Sequence, residues 1–345
     1  MTDDDLLERL LAGEQRALAR AITRIENRRS GYRDLVARLH EHTGDTRVIG
    51  ITGSPGAGKS TLVDKLSAAY REQGLTVGII AVDPASPFTG GAVLGDRIRM
   101  GSTVGDMEVF VRSMSARGTL GGLSTATSDA VRALDAFGKD VVIVETVGAG
   151  QNEVDIVRTA DTVAVLVQPG SGDDIQTLKA GILEIADVFV VNKADMDGAD
   201  RTVQELTEMI QQSTGGTVAT SGHHGPGVDE EVELAGTGDA EWVPRIVETV
   251  ATDGQGVDDL VGAFDAHREF LESTGELREK ARTRYAEEIR ALLREDLGDL
   301  LEAEIRERGG MEDLVEQVLE RETDPYSVAD EVVAPVAECV RQRDE

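Results

Sequence analysis

The stretch Gly53-Ser-Pro-Gly-Ala-Gly58-Lys59-Ser60 constrains this chain more than any other, because it matches G-x-x-x-x-G-K-[ST] at every fixed position. The spacing has a chemical reason. Glycines let backbone N–H groups turn inward around phosphate oxygens. A lysine brings positive charge to β- and γ-phosphates, and a serine hydroxyl can ligate Mg²⁺. Context carries more weight than the string. Residues 47–52 read as a buried strand, and residues 61–70 place apolar side chains at helical spacing. Strand, glycine loop, helix is the context such a loop requires, and the helix N-terminus adds an anion site of its own. Gly53, Ser54, Pro55, Gly56, Ala57, Gly58, Lys59, Ser60 and Thr61 are therefore the candidate phosphate-binding residues.

The flanking pattern extends this unit into a fold. Val/Ile-rich runs recur at 47–52, 76–82, 107–111, 141–145, 163–167, 187–191 and 246–250, separated by helical segments. Near-continuous apolar runs suit strands buried on both faces. The expectation is an α/β P-loop NTPase, with a mostly parallel doubly wound sheet flanked by helices and with helical N-terminal and C-terminal extensions. The expected divisions are an N-terminal helical extension at 1–45, a nucleotide-binding domain at 46–270 and a C-terminal helical arm at 271–345. Residues 214–244 break the rhythm; Gly-rich and acidic, they read as a surface insertion. In the arm, Ile289, Leu292, Leu293, Leu297, Leu300 and Leu301 form a stripe that must bury against its own domain or a partner subunit.

Composition excludes several functions. The net charge is −30, from 65 acidic and 35 basic residues, which argues against nucleic-acid binding through a basic face. No run reaches the roughly 18 apolar residues of a membrane span, and the acidic start lacks the basic opening of a signal peptide. Cys339 is the one cysteine, so neither an intrachain disulfide nor a thiolate cluster is available. These features predict a cytoplasmic protein with no membrane partner. Only six of the cationic residues are lysines, Lys59 and Lys193 among them. An acidic, lysine-poor surface suits a halophilic protein, since screening lengths fall to about 3 Å at 1 M salt.

Asn192-Lys193-Ala194-Asp195, following the strand 187–191, indicates the base. An aspartate held at a strand end accepts two hydrogen bonds from guanine N1–H and N2–H₂, a pair adenine lacks. Asn192 and Lys193 shape the pocket, with the lysine stem along the base. The Ala251 N–H, after the last strand, is a candidate donor to guanine O6. Glu145 ends the strand 141–145 and can hold the Mg²⁺ water shell. Ser60, Asp83 and Asp96 are the other candidate metal ligands, although Mg²⁺ takes only one or two carboxylates directly. The Gly148 N–H is placed to sense a γ-phosphate, and Gln151 is a candidate to orient water. No residue reads as an assured general base, so weak turnover and a switching role are expected, with Lys59, Glu145, Gly148 and Gln151 as the catalytic set.

These residues sit within longer runs. VDPASPFTGGAVLGDRIRM, SMSARGTLGGLS, VVIVETVGAGQNEVDI and PGSGDDIQTLKAGILEIADVFVVNKAD resemble, in order and spacing, the MeaB/ArgK GTPases of the SIMIBI class of P-loop proteins. The resemblance runs from about residue 5 to 270 and more loosely into the tail. It implies slow GTP hydrolysis, GTP/GDP and Mg²⁺ as cofactors, and a chaperone that gates adenosylcobalamin loading and protects an acyl-CoA mutase such as methylmalonyl-CoA mutase. It further implies that residues 170–181 form an additional switch loop facing the mutase, and that the C-terminal helices make a homodimer. Two features depart from the family pattern. The 214–244 segment is longer than usual, and Val250 stands where a serine is usual.

Two rival readings compete. A P-loop kinase, in line with older labels linking the family to lysine/arginine/ornithine transport, needs an acceptor site, and no acceptor motif is present. A nickel metallochaperone GTPase needs Cys/His ligands, for which only His223-His224 and the distant Cys339 are candidates.

Overall fold

Runs of β-branched residues set the sheet. The computed structural model describes residues 3–83, 101, 105–115, 122–146, 159–170, 185–214, 220–221 and 241–341. Within them the strands are β1 Arg47–Gly53, β2 Val77–Asp83, β3 Val109–Ser115, β4 Val141–Thr146, β5 Thr162–Val167, β6 Val188–Asn192, β7 Thr220–Ser221 and β8 Arg245–Thr249. They form one sheet in the order β3-β2-β4-β1-β5-β6-β8-β7, parallel throughout. Every residue of β4 and β5 is buried, as a sheet covered on both faces demands.

Side-chain alternation divides the core in two. Val142 and Val144 enter one cluster, and Val141 and Ile143 enter the other. The first is covered by α1 (Asp3–Leu11), α2 (Gln15–Glu26), α3 (Tyr32–His40), α5 (Gly122–Ala136) and α6 (Ala199–Thr214). The second is covered by α4 (Lys59–Glu72) and α7 (Val257–Thr274). In α2, Leu18, Ala21 and Ile22 are fully buried and Ile25 nearly so, so this helix joins the same continuous core as the strands. The doubly wound α/β fold expected from the sequence is the fold observed.

All seven expected strands are present. β3 starts at Val109 and runs on to Ser115, beyond the expected end at residue 111. Arg112-Ser-Met-Ser keep pairing with β2 despite their polarity, because β3 is the sheet edge and Arg112 reaches Glu26 of α2. Strand β7, unforeseen, lies inside the 214–244 stretch and pairs with β8. At the end of that stretch Trp242 donates from Nε1 to the Asp187 carbonyl at 2.8 Å and packs against His267, the rings tilted with centroids 4.7 Å apart. Most of the rest of the stretch lies outside the described residues.

The chain divides into two compact units, Met1–Ala281 and Arg282–Glu345. The second holds most of α8 (Glu276–Glu307), with α9 (Met311–Leu319) and α10 (Pro325–Arg341). Leu314 and Val332 are its buried pair among the described residues. Its helices line an apolar cavity of about 470 Å³, walled by Leu301, Ile305, Leu314, Val318, Val328 and Val332 among others. No residue of α8 is buried in the single chain, and Ile289, Leu293, Leu297 and Leu300 of the expected stripe are exposed. Among the described residues no helix is long and apolar enough to cross a membrane.

Candidate nucleotide site

Because the sheet is parallel, the strand ends of β1, β4, β5, β6 and β8 gather at one edge, the edge where ligands bind in open α/β sheets. β1 lies between β4 and β5, and its last residue turns directly into the glycine loop. Two glycines there have no substitute. Gly53 has φ +136, and a Cβ on it would lie 2.1 Å from the Leu166 carbonyl oxygen of β5. Gly58 has φ +95, and a Cβ on it would lie 2.3 Å from Asn192 Nδ2. Both are left-handed-side conformations that other residues rarely adopt. Gly58 also N-caps α4 with no side-chain cap, which leaves the first-turn amides available to an anion.

Lys59 is buried, with Nζ donating to the carbonyls of Gly53 at 2.7 Å and Ser54 at 3.0 Å. The ammonium is thus fixed inside the loop, where desolvation makes it a strong anion ligand. Ser60 Oγ donates to Glu145 Oε1 at 2.6 Å, and the Glu145 side chain is buried at the end of β4. A hydroxyl and a carboxylate converging beside a phosphate loop form an all-oxygen donor set, which suits a hard cation such as Mg²⁺. The next residue repeats the link between strands, as Thr146 Oγ1 donates to Thr52 Oγ1 at 2.8 Å. Asp83 is the last residue of β2, at the same edge of the sheet. Asp96, Gly148 and Gln151 lie outside the described residues, as do His223 and His224.

Asn192 joins the phosphate loop to the base-reading loops. Its side chain is buried; Nδ2 donates to the Ala57 carbonyl at 2.7 Å, and Oδ1 accepts from Thr249 Oγ1 at 3.0 Å and from the Ala251 N–H at 3.1 Å. The sequence reading aimed the Ala251 N–H at guanine O6. In the structure it is given to Asn192, which locks the loop after β8 to the strand end of β6. Lys193 has φ +60, and its Nζ donates to the Gly56 carbonyl at 2.8 Å and to Gln168 Oε1 at 3.0 Å. Asp195 is exposed at the rim, and Ala194 N–H donates to the Thr249 carbonyl at 3.0 Å. The structure therefore brings together Gly53–Thr61, Glu145, Asn192–Asp195 and Ala251. Gln168 and Thr249 belong to no motif, and Thr52 and Thr146 lie in motif runs that give them no role; all four become neighbours of the site only through strand register.

Comparison with known proteins finds clear relatives. The family model described as methylmalonyl Co-A mutase-associated GTPase MeaB matches residues 18–306. A Pyrococcus abyssi protein named as a GTPase is 48% identical, the match covering 96% of each chain. The GTPase ArgK of Escherichia coli is 33% identical over 84% of this chain and 83% of its own. The mouse mitochondrial methylmalonic aciduria type A homolog is 30% identical over 82% of this chain and 67% of its own. The crystal structure of an LAO/AO transport system kinase superposes with a TM-score of 0.67 at 24% identity, over 97% of this chain and 98% of that one. That likeness speaks to the fold.

Proposed function

The chain belongs to the MeaB family of methylmalonyl-CoA mutase-associated GTPases, and on that premise we propose that it is a GTP-driven chaperone for an adenosylcobalamin-dependent acyl-CoA mutase. In this reading it binds and slowly hydrolyses GTP, gates loading of the cofactor and protects the mutase from inactivation. The observation that carries the nucleotide part is Asn192, whose one side chain ties the phosphate loop to both loops of the base pocket. The family description and the name of the mouse relative support the choice of client.

The residues divide the work as follows. Backbone amides of the loop and of the α4 N-terminus receive the β- and γ-phosphates, and Lys59 neutralises them. Ser60 and Glu145 hold Mg²⁺, with Asp83 and Asp96 as further carboxylates. There Mg²⁺ would supply positive charge against the charge that develops on phosphoryl transfer. Asp195 accepts from guanine N1–H and N2–H₂, and Lys193 lays its stem along the purine. Gly148 senses the γ-phosphate, and Gln151 orients water. Positioning and charge neutralisation without a strong base give slow turnover, which suits a timer more than a metabolic catalyst.

The test is GTP hydrolysis by the purified protein in about 2 M KCl, chosen because screening relieves its self-repulsion. It is run with and without an adenosylcobalamin-dependent acyl-CoA mutase from the same source, with ATP and Asp195→Ala as controls. Slow GTP turnover that the mutase accelerates, and that Asp195→Ala abolishes, is the expected result. A preference for ATP, or indifference to the mutase, would sink the proposal and favour the kinase or metallochaperone readings.

A further inference from the structure

We infer that Gln168 is a positioning residue for guanine nucleotides, acting by holding the Lys193 ammonium against the phosphate loop. The inference rests on the reading that Asn192–Asp195 receives the base, and it adds a residue outside every motif of that reading.

Three observations support it. Lys193 is one of three non-glycine residues with positive φ among those described. That conformation costs free energy that the surroundings must offset, and such positions cluster at ligand sites. It also turns the Lys193 side chain back over the phosphate loop, where Nζ meets two oxygens, the Gly56 carbonyl at 2.8 Å and Gln168 Oε1 at 3.0 Å. An ammonium only donates, so it is the amide oxygen of Gln168 that faces it. Finally, Gln168 directly follows β5, and β5 is pinned to the root of the loop: Leu166 pairs with Gly53, and its carbonyl occupies the space a Cβ on Gly53 would need. The Gln168 backbone therefore leaves a fixed point. With the ammonium held between two anchored oxygens, the aliphatic stem of Lys193 becomes a preset rail for a flat ring. Without Gln168 the ammonium keeps one oxygen, and the stem regains rotamer freedom that nucleotide binding must then remove.

This role differs from reading the base. Asp195 distinguishes guanine by its hydrogen-bonding edge, whereas Gln168 fixes a wall that any purine would touch. Removing Gln168 should weaken GTP and ITP alike, leaving their ratio intact.

The test is a double-mutant cycle between Gln168 and Lys193, read as the Kd for GTP and for ITP by calorimetry, with kcat and melting temperature measured alongside. Gln168→Met, close in shape but without an acceptor, should raise both Kd values about 10-fold, the scale of one charge-assisted hydrogen bond, with kcat little changed. Gln168→Glu, which keeps an acceptor for the ammonium, should return the affinity to within about 3-fold of the wild type. The double variant Gln168→Met/Lys193→Met should bind no more weakly than Lys193→Met alone, because the two side chains act as one unit. Should Gln168→Met fail to fold, Gln168→Thr, polar but too short to reach Lys193, carries the same expectation. Unchanged Kd in Gln168→Met, multiplying effects in the double variant, or no rescue by glutamate would each overturn the inference. Failure of the base reading shows elsewhere: Asp195→Ala would then leave selectivity for GTP over ATP untouched, whatever the cycle gives.

Discussion

At the scale of single residues, the site depends on buried side chains held by several hydrogen bonds at once. Asn192 is the extreme case, with one donor and one acceptor group serving three loops. Asn192→Asp isolates one of those bonds. It keeps the oxygen that accepts from Thr249 and Ala251 but sets a second acceptor against the Ala57 carbonyl. A buried acceptor facing an acceptor costs about 1–3 kcal/mol, or roughly 5–150-fold in an equilibrium constant. GTP affinity should fall by about 30-fold or more, read by calorimetry, and the melting temperature should fall with it. Unchanged affinity would mean that the loops are set independently of Asn192. Residues of this kind divide by how well the sequence announces them. Lys59, Ser60, Asn192 and Asp195 were legible because backbone-scale chemistry fixes their spacing. Gln168 and Thr249 were not, because what joins them to the site is the lateral register of β5, β6 and β8. Register is written in the packing of all three strands and not in any short string. The Ala251 N–H is set by register in the same way, since Asn192 Oδ1, 3.1 Å away, lies on a neighbouring strand end.

At the scale of elements, the opposite edge of the sheet holds a second polar cluster that binds α7 to the starts of β5, β6 and β8. His267 of α7 is fully enclosed. Its Nε2 lies 3.2 Å from Asp187 Oδ1, and its Nδ1 lies 2.8 Å from Thr162 Oγ1. A carboxylate only accepts, so Nε2 carries the hydrogen and Nδ1 takes the threonine proton, which is the neutral tautomer. Burial, reinforced by the cations Lys280 and Arg245, pushes His267 down to about 3 from its usual value near 6.5. The sign follows from linkage. The unfolded chain takes up a proton below pH 6.5 and the folded one does not, so stability present above that pH is lost as pH falls toward 3. The slope is at most about 1.4 kcal/mol per pH unit from this group. Asp187, pushed up by burial, binds its proton more readily when folded and offsets part of that loss. Urea unfolding of wild type and His267→Gln between pH 7.5 and 5 checks this, with glutamine able to meet both partners without titrating. The wild type should lose stability more steeply below about pH 6.5; parallel curves would show that His267 does not stay neutral. The sequence disclosed the strands and helices well, because buried parallel strands are apolar at every position. It misplaced the end of β3, whose polar residues are tolerated only because an edge strand has one free side.

At the scale of the whole molecule, the exposed stripe on α8 meets a strongly acidic chain. Ile289, Leu293, Leu297 and Leu300 lie at spacings of four, four and three, on one helical face, with relative exposures of 58%, 56%, 47% and 57%. Burying such a side chain yields about 1.5–3 kcal/mol. Each is already about half covered in the single chain, so two copies meeting along this face would enclose eight of them for a gross gain of roughly 6–12 kcal/mol, comparable to an association cost of about 4–15 kcal/mol. A homodimer through α8 is the association this face predicts, close to the balance point where salt can decide it. Each copy carries a net charge of −30, so the approach of two chains is opposed by repulsion that salt screens. The dimer should therefore tighten as salt rises, the opposite of an interface held by ion pairs. Light scattering across KCl from about 0.1 M to 2 M should show dimer at the high end and growing dissociation at the low end. Leu293→Glu with Leu297→Glu should give monomer at every salt concentration. That variant should keep its basal GTP turnover, because Lys59, Glu145, Asn192 and Asp195 all belong to the first compact unit. A monomeric wild type in high salt would remove the second copy as the partner of this face. Loss of turnover in the double variant would instead make association a requirement for the chemistry.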